Sequence, residues 1–212
     1  MSAPDGYTTL AAPLRFEGER VKNSRFVCDV APIRDEEQGA AVVAAARLAF
    51  PDADHHCWAW RLGPGGERYR SSDDGEPGGS AGRPILAQLE AKGVTDACAV
   101  VTRWFGGTKL GVGGLVRAYA GATARALDRA SLKLVVPTRN LTIEHGYDLE
   151  VAVDVALREE GLTALEAAYG ETVRRRVAVP LARIEPFLER LRDGTHGRAR
   201  VEREPDGSGA DA

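Results

Sequence analysis

Two glycine-rich segments of opposite charge lie close together in this chain of 212 residues. The first, "SSDDGEPGGSAG" at 71–82, carries carboxylates among small residues. The second, "RWFGGTKLGVGGLVRAY" at 103–119, carries cations among glycines. Carboxylates can order a loop, hold a cation or move protons, whereas cations beside glycine suit an anion because glycine lets a ligand approach the backbone closely. We therefore expect two complementary segments that line one cleft.

The acidic segment offers three carboxylates, Asp73, Asp74 and Glu76. Their spacing is not that of an EF-hand loop, although their oxygens are ligands that magnesium accepts, and a metal site is the alternative. We expect these carboxylates, together with His56, to order the segment or to discriminate among ligands, and we assign no metal. One carboxylate is expected to pair with a cation from this set: Arg61, Arg103 or Lys109.

The basic segment matches neither of the common phosphate-binding motifs. Gly106 and Gly111 have the spacing of a Walker loop, but "VG" follows where that motif requires Lys and then Ser or Thr. A dinucleotide-binding motif also fails, because neither the acidic ribose partner nor the βαβ setting is evident. Any phosphate site here must therefore depend on the local physics of the segment and not on a known motif.

A helix N-terminus can bind an anion through its free N–H groups. The last glycines of the basic segment lie just ahead of a predicted helix, and from 100 to 133 six cations stand against Asp128 alone. Trp104 and Phe105 point to opposite faces of a strand, so one of them can stack on a base. The alternative is that the glycines only permit tight turns. The residues assigned to phosphate or nucleic acid are Arg61, Arg103, Phe105, Gly106, Gly107, Lys109, Gly111, Gly113, Gly114 and Arg117.

The histidines and cysteines form no recognisable catalytic or metal site. "HHC" at 55–57 has no second Cys or His pair at ligand spacing, and His56 and Cys57 point to opposite faces of a strand. Cys28, Cys57 and Cys98 are widely spaced in apolar surroundings, which predicts reduced core thiols and no disulfide framework. We predict no catalytic residue and no cofactor.

Both glycine-rich segments connect a strand to a helix. Apolar residues alternate in three parts of this region and follow helical spacing in three others. In chain order they predict strand 24–32, helix 34–50, strand 55–63, helix 84–93, strand 97–105 and helix 114–130. The strand at 97–105 is the most apolar, so we expect it at the centre of a sheet.

A second domain is predicted after residue 134. Strands are predicted at "NLTIEHG", "TALEAAYG", "TVRRRVAVP" and "RARVERE", and a helix at "RIEPFLERLRDG". The segment "YDLEVAVDVALREEG" fits both a strand and a helix, and its ending in "REEG" favours the helix. The resulting order, βαββαβ, predicts a ferredoxin-like domain at 135–205. We therefore expect an α+β protein with a first domain at 1–134 and a disordered tail at 206–212.

The overall composition excludes several classes of protein. The net charge of −3 provides no general attraction to nucleic acid or acidic lipid, so an anion site must come from local clustering. The N-terminus lacks the basic start and apolar run of a signal peptide, and no apolar stretch approaches the ~20 residues of a membrane span. We expect a cytoplasmic protein with no membrane partner, and the oligomeric state is not predicted.

The chain resembles the Impact/YigZ-type family in four motifs: "SRF" near residue 25, "HHCWAWRLG", "SSDDGEPGGSAGRPIL" and "VVTRWFGGTKLGVGGLVRAY". Their order and spacing match over residues 15–130, and the remainder is similar to the small C-terminal domain of the bacterial branch. Trp58 and Trp60 flank Ala59 where the family more often has a tyrosine, and Trp104 likewise replaces a tyrosine. These replacements conserve packing or stacking.

The resemblance implies both a fold and a role in translation. The first domain would share the fold of the second domain of a small-subunit ribosomal protein and of domain IV of elongation factor G. The second would resemble the C-terminal domain of that factor. Eukaryotic members regulate translation by binding an activator of a starvation-sensing kinase, a partner system not expected in bacteria. We expect a translation-associated regulator that binds RNA, the ribosome or translation factors, and the alternative is an enzyme for a small phosphorylated or anionic substrate, with or without a metal.

Overall fold

The computed structural model describes residues 6–204, which form helices and strands in similar amounts. By their internal contacts they divide into two compact units, Tyr7–Val135 and the residues from Val136 onward. Each unit carries its own sheet and helices, so the α+β class with two domains is confirmed. The predicted tail at 206–212 lies outside the described residues.

The first unit is built on a five-stranded antiparallel sheet. Its strands in chain order are β2 (Leu14–Glu17), β3 (Arg25–Pro32), β4 (His55–Leu62), β5 (Arg68–Ser72) and β6 (Ala97–Trp104), and they lie side by side in the order β2-β3-β6-β4-β5. The helices are α1 (Glu36–Ala49), α2 (Gly82–Ala91) and α3 (Val112–Arg129). A separate ribbon pairs β1 (Tyr7–Leu10) with β7 (Leu132–Val135). The most apolar predicted strand is therefore β6, at the centre of the sheet.

Both faces of this sheet are covered, which explains the nearly continuous apolar sequence of β6. On one face, α2 and α3 contribute to a core that includes Cys57, Val101 and Tyr119. On the other face, a smaller core under α1 includes Trp60 and Val100. Adjacent residues of a strand serve opposite cores because side chains alternate along it.

The three predicted strands and three predicted helices of the first unit all form, with ends shifted by a few residues. Three short strands of four or five residues, β1, β2 and β5, were not predicted from the sequence. β7, at the boundary predicted after residue 134, pairs with β1 in the first unit. β1 and β7 lie more than 120 residues apart in the chain, so no local sequence pattern predicts that they pair.

The second unit has the order βαββαβ, as predicted. It contains β8 (Thr138–His145), α4 (Glu150–Glu159), β9 (Ala164–Tyr169), β10 (Val173–Pro180), α5 (Ile184–Thr195) and β11 (Arg200–Arg203). The antiparallel sheet has the order β11-β8-β10-β9, which is that of a ferredoxin-like sandwich. The ambiguous segment forms α4, in which Val153 and Leu157 are buried while Val151 is 74% exposed. Helical spacing therefore prevails over the alternation of valines.

The likeness to a ribosomal protein domain and to domains of an elongation factor stays a prediction. In the part of the chain that the structure describes, no helix is long and apolar enough to cross a membrane.

A chain that ends at Val135 should fold by itself, because it keeps the core of the first unit and the β1–β7 ribbon. We expect one cooperative urea transition, followed by circular dichroism. A chain that ends at Ala130 loses β7 and should be less stable and more readily cleaved by protease near β1. Non-cooperative unfolding of the longer chain would contradict the division into two units.

Candidate functional site

The two glycine-rich segments come together at one end of the five-stranded sheet. β6 ends there, and β3 and β4 begin there, because Arg103 lies opposite Phe26 on one side and His55 on the other. The acidic segment follows β5, whose Ser72 lies opposite Trp58 of β4. The antiparallel order thus places loops that are distant in sequence above neighbouring strands.

A buried ion pair joins the acidic segment to the central strand. Arg103 Nη1 donates to Glu76 Oε1 at 2.5 Å, and the two side chains are only 5% and 4% exposed. The Tyr119 hydroxyl of α3 donates to the same oxygen at 2.7 Å. Arg103 Nη2 also donates to Ser24 Oγ at 3.2 Å. Among the three cations offered by the sequence analysis, the structure therefore pairs the acidic segment with Arg103.

The hydroxyl of Tyr119 stays protonated and can act as a donor to this pair. Burial raises its pKa, and the neighbouring Cys57 and Glu76 raise it further. Tyr119 also packs edge-on against Phe26, with ring centroids 5.4 Å apart. One side chain thus connects the charged cluster to the apolar core beneath it.

His55 borders the same cluster with a defined tautomer. Its Nδ1 lies 2.9 Å from the Asp74 carbonyl oxygen, and a carbonyl can only accept, so Nδ1 carries the proton. Its Nε2 lies 3.9 Å from Glu76 Oε1, beyond direct hydrogen-bond distance. The His55 side chain is 23% exposed. His55 therefore borders the Glu76 carboxylate without bonding to it.

Asp73 orders the acidic segment by capping α2. Its carboxylate accepts backbone N–H groups from Gly79, Ala81 and Gly82 at 2.8–2.9 Å. Burial works against the charged carboxylate, but the three donors outweigh it and hold the pKa of Asp73 below its ordinary value. A side chain added at Gly82 would meet the backbone of Ser72 at 2.8 Å, so this turn also needs a glycine.

Asp74 and His56 hold the beginning of β4 against the same segment. Asp74 accepts from the His56 backbone N–H at 2.7 Å and from Arg47 at 2.6 Å. The His56 ring is buried on the opposite face of the sheet, where Nε2 lies 3.1 Å from the Phe50 carbonyl oxygen. Both residues thus contact protein groups that order the loop.

All three acidic side chains of the segment have protein partners. In residues 6–204, no group of three or more His, Cys, Asp or Glu side chains is arranged to hold a metal ion. The carboxylates that the metal interpretation would use serve instead as a helix cap, a strand anchor and an ion-pair partner.

The glycines of the basic segment serve different purposes. A side chain at Gly106 would come within 2.1 Å of the backbone of Asn23, so this glycine permits close packing, as the alternative interpretation held. Gly107 and Gly111 have φ angles of 83° and 70°, which favour glycine. Nothing else lies within 4 Å of a side chain built at either of these two positions. The backbone around Gly107 and Gly111 is therefore open to a ligand.

The cations of the basic segment face solvent. Lys109 and Arg117 are exposed, and neither has a hydrogen bond or ion pair with any residue of the range 6–204. The end of the Arg117 side chain lies 3.7 Å from the Cβ position of Gly113, at the first turn of α3. Gly114 packs near Leu110 instead, since a Cβ there would lie 3.1 Å from that residue.

Arg61 and Arg103 do not join this exposed group. Arg61 lies at the opposite end of β4 and donates to the carbonyls of Val94 and Gly65 at 3.0 and 3.1 Å. Arg103 is buried with Glu76, so it cannot meet a phosphate unless that ion pair breaks. Both side chains are therefore held by protein groups, and their assignment to phosphate stays a prediction.

The two adjacent aromatic residues at the end of β6 point in different directions, as expected for neighbours along a strand. Trp104 packs edge-on against Phe50, and its Nε1 donates to Asp52 at 3.0 Å. Phe105 is 46% exposed, while its backbone N–H donates to Asp54 at 2.7 Å. Phe105 is thus the ring that remains open for stacking.

The three thiols are buried and free. Cys28 and Cys57 lie in the core under α2 and α3, and Cys98 lies in the core under α1. Burial raises the pKa of Cys57 and of Cys98 to about 12. Thiols with such pKa values are poor nucleophiles at neutral pH, because the thiolate is the reactive form.

Sequence reasoning missed three members of the buried cluster: Ser24, His55 and Tyr119. Strand alternation contained the signal for His55, because it shares a face with Cys57 and Arg103 and His56 does not. Tyr119 lies on the buried face of α3, and its hydroxyl reaches the ion pair from that position.

Comparison with known proteins agrees with this architecture. The model of the Impact N-terminal domain matches residues 22–127, and the model of a domain of unknown function, DUF1949, matches residues 143–198. IMPACT family member YigZ of Escherichia coli K12 is 37% identical over 189 residues, which cover 88% of this chain and 92% of that protein. The chain belongs to the Impact family.

Other members of the Impact family are similar over nearly their whole length. An IMPACT family member of Thermus thermophilus is 41% identical over 183 residues, covering 86% of this chain and 99% of that protein. A solved structure described as a hypothetical protein is 35% identical with a TM-score of 0.65, covering 95% of this chain and 98% of the other. The matched region of the first unit contains the buried cluster and the basic segment.

Replacing Glu76 by Gln should destabilise the protein strongly. The change leaves the Arg103 guanidinium buried without a counter-charge, and we expect the free energy of unfolding to fall by about 3 kcal/mol. Urea denaturation of the purified protein measures this. As a control, Glu36→Gln breaks the exposed ion pair with Arg68 and should change it by under about 1 kcal/mol. Equal effects of the two substitutions would contradict the role given to the buried pair.

Asp73→Ala should destabilise the protein in a pH-dependent way. The folded-state pKa of Asp73 lies below its unfolded value, so its stabilisation is fully present above about pH 4 and lost as the pH falls further. We expect a loss of about 1–2 kcal/mol at neutral pH and a smaller difference from wild type in acid. Urea unfolding at several pH values tests this, with exposed Asp193→Ala as the control. A difference that stays constant with pH would refute the capping role of the carboxylate.

Proposed function

We propose that this protein binds RNA of the translation machinery through a basic surface formed by Phe105, Lys109, residues 111–114 and Arg117. The observation that carries this proposal is the first turn of α3. The N-cap residue Gly111 has no side chain to cap the helix, and the first turn contains no acidic residue. The first backbone hydrogen bond of the helix runs from Leu115 N to Gly111 O at 2.9 Å. The N–H groups of residues 112–114 therefore have no partner within the helix.

The other two helices of the first unit differ at this point. Asp35 caps α1 by accepting from the Gln38 backbone N–H at 2.7 Å. Asp73 accepts from the N–H groups of Ala81 and Gly82, where α2 begins. In both helices a carboxylate of the chain already occupies the position where an external anion would bind. The uncapped N-terminus of α3 can offer its dipole and its free donors to a phosphate group.

Charge and stacking support RNA over a small anion. Lys109 and Arg117 can each neutralise a backbone phosphate, and the half-exposed ring of Phe105 can stack on an unpaired base. These groups lie within one stretch of thirteen residues, 105–117, so they can contact successive nucleotides. The proposal agrees with what the family resemblance implies about translation.

The buried cluster supports this surface from below. Glu76 holds Arg103 at the end of β6 and Tyr119 within α3, and the basic segment connects these two elements. The ion pair thus fixes both ends of the segment. An enzyme for a small phosphorylated or anionic substrate stays the alternative prediction.

Replacing Lys109 and Arg117 by alanine should weaken the salt dependence of RNA binding. Each phosphate contact on a single strand contributes about −0.7 to the slope of log K against log salt, so the slope should flatten by about 1.4. The measurement is the affinity for a single-stranded RNA at several salt concentrations, by fluorescence anisotropy. Phe105→Ala should reduce affinity and leave the slope unchanged, because it removes stacking and no charge.

The matched control removes two cations from the outer strand of the same unit, through Arg68→Ala with Arg70→Ala. This variant has the same net charge as the double variant of the basic surface, and it should keep the wild-type slope. An equal flattening in both double variants would show a general charge effect and overturn the assigned surface. Absence of RNA binding by the wild type at low salt would reject the proposed function.

A further inference from the structure

The outer strands of the two larger sheets are protected unequally against pairing with another chain. An outer strand exposes unpaired N–H and C=O groups, and charged side chains or proline usually guard it. In residues 6–204, the outer strands β2, β5 and β11 have the sequences LRFE, RYRSS and RVER, each with at least two charges. The fourth, β9, has the sequence ALEAAY, with Glu166 as its one charge and no proline. It is also the longest of the four.

β9 exposes apolar side chains as well as backbone. Residues 165–169 are all exposed, and Leu165 and Tyr169 retain 57% and 64% of their accessible surface. On an outer strand without guarding cations, these side chains form a surface suited to a second strand.

The backbone direction of β9 follows from its hairpin with β10. Gly170 N donates to Thr172 O at 3.0 Å, and hydrogen-bonded pairs alternate along an antiparallel ladder. Ala168 therefore bonds to its partner Arg174 on β10. The N–H and C=O groups of Ala167 and Tyr169 consequently point away from β10, toward the open edge.

The sequence of β9 is complementary to itself around Ala167. If two copies pair antiparallel with Ala167 opposite Ala167, then Tyr169 of each copy lies opposite Leu165 of the other, at the point where the pairing of β9 with β10 shifts its register. Glu166 lies opposite Ala168, so the two carboxylates do not face each other. The outward backbone groups of Ala167 and the apolar side chains of Leu165 and Tyr169 are then matched across a two-fold axis.

We propose that β9 is a self-association edge, through which the second units of two copies of this chain join their sheets. Pairing follows the antiparallel register centred on Ala167 and makes one continuous sheet of eight strands from two four-stranded sheets. A second copy fits this edge because one strand supplies both sides of every cross-strand pair without a like-charge contact. The inference does not depend on RNA binding by the first unit.

Sedimentation equilibrium over a range of protein concentrations tests the association of the full chain. The mass of the wild type should rise from that of one chain toward that of two. Ala167→Lys places two ammonium groups opposite each other and should weaken dimerisation at least about tenfold. Val151→Lys changes an exposed apolar residue of α4 in the same unit, and it should associate as the wild type does. A wild type that stays monomeric, or a dimer that Ala167→Lys does not weaken, overturns the proposal.

A cross-link tests the register directly. Opposite residues of a hydrogen-bonded antiparallel pair have Cα atoms about 5.5 Å apart, within the range of a disulfide. Ala167→Cys should therefore form a covalent dimer on mild oxidation, seen on a non-reducing gel. Ala168→Cys lies one residue from the axis and should cross-link poorly. The native thiols are buried and do not interfere. Equal cross-linking of both variants refutes the register centred on Ala167, and an extended peptide that binds β9 while the chain stays monomeric refutes self-association.

Discussion

The buried ion pair between Glu76 and Arg103 is the constraint on which the candidate site depends. A carboxylate and a guanidinium lose much solvation at this depth, and they are stabilised only if their geometry is good and their other atoms find partners. Ser24, just before β3, accepts from Arg103 Nη2, and Tyr119 of α3 donates to Glu76 Oε1. Among residues 6–204, the buried Arg103 Nε has no hydrogen-bond partner. One pair of charges thereby fixes a loop, the central strand and a long helix relative to one another.

This constraint also explains the composition of the two glycine-rich segments. The acidic segment must turn tightly to bring Glu76 over the end of the sheet while Asp73 caps α2. The basic segment must pass close to the backbone of Asn23, which only Gly106 permits. The two oppositely charged groups of the sequence thus have different roles. The acidic side chains act within the protein, whereas Lys109 and Arg117 face outward.

Local patterns were enough to predict most of the fold, because periodicity and caps report which face of an element is buried. The helix α4 and the strands β4 and β6 followed from such patterns. Short outer strands such as β5 show no clear alternation of buried and exposed residues, because one edge of the strand has no neighbouring strand and most of its residues face solvent. The two segments that form the site were predicted from the sequence, but the contacts of their individual side chains were not. Strand alternation places Arg103 on the same face as Cys57, but its ion pair depends on Glu76, whose position is set by a loop and not by a periodicity.

The β1–β7 ribbon closes the first unit at its ends. Tyr7 lies opposite Val135, so the chain enters and leaves this unit at neighbouring points. A unit with adjacent ends can be inserted into a surface loop of another protein, or joined to a different neighbour, without stretching the flanking chain. The first unit is therefore built as a transferable module, and a circular permutation that links its two ends requires only a short connection.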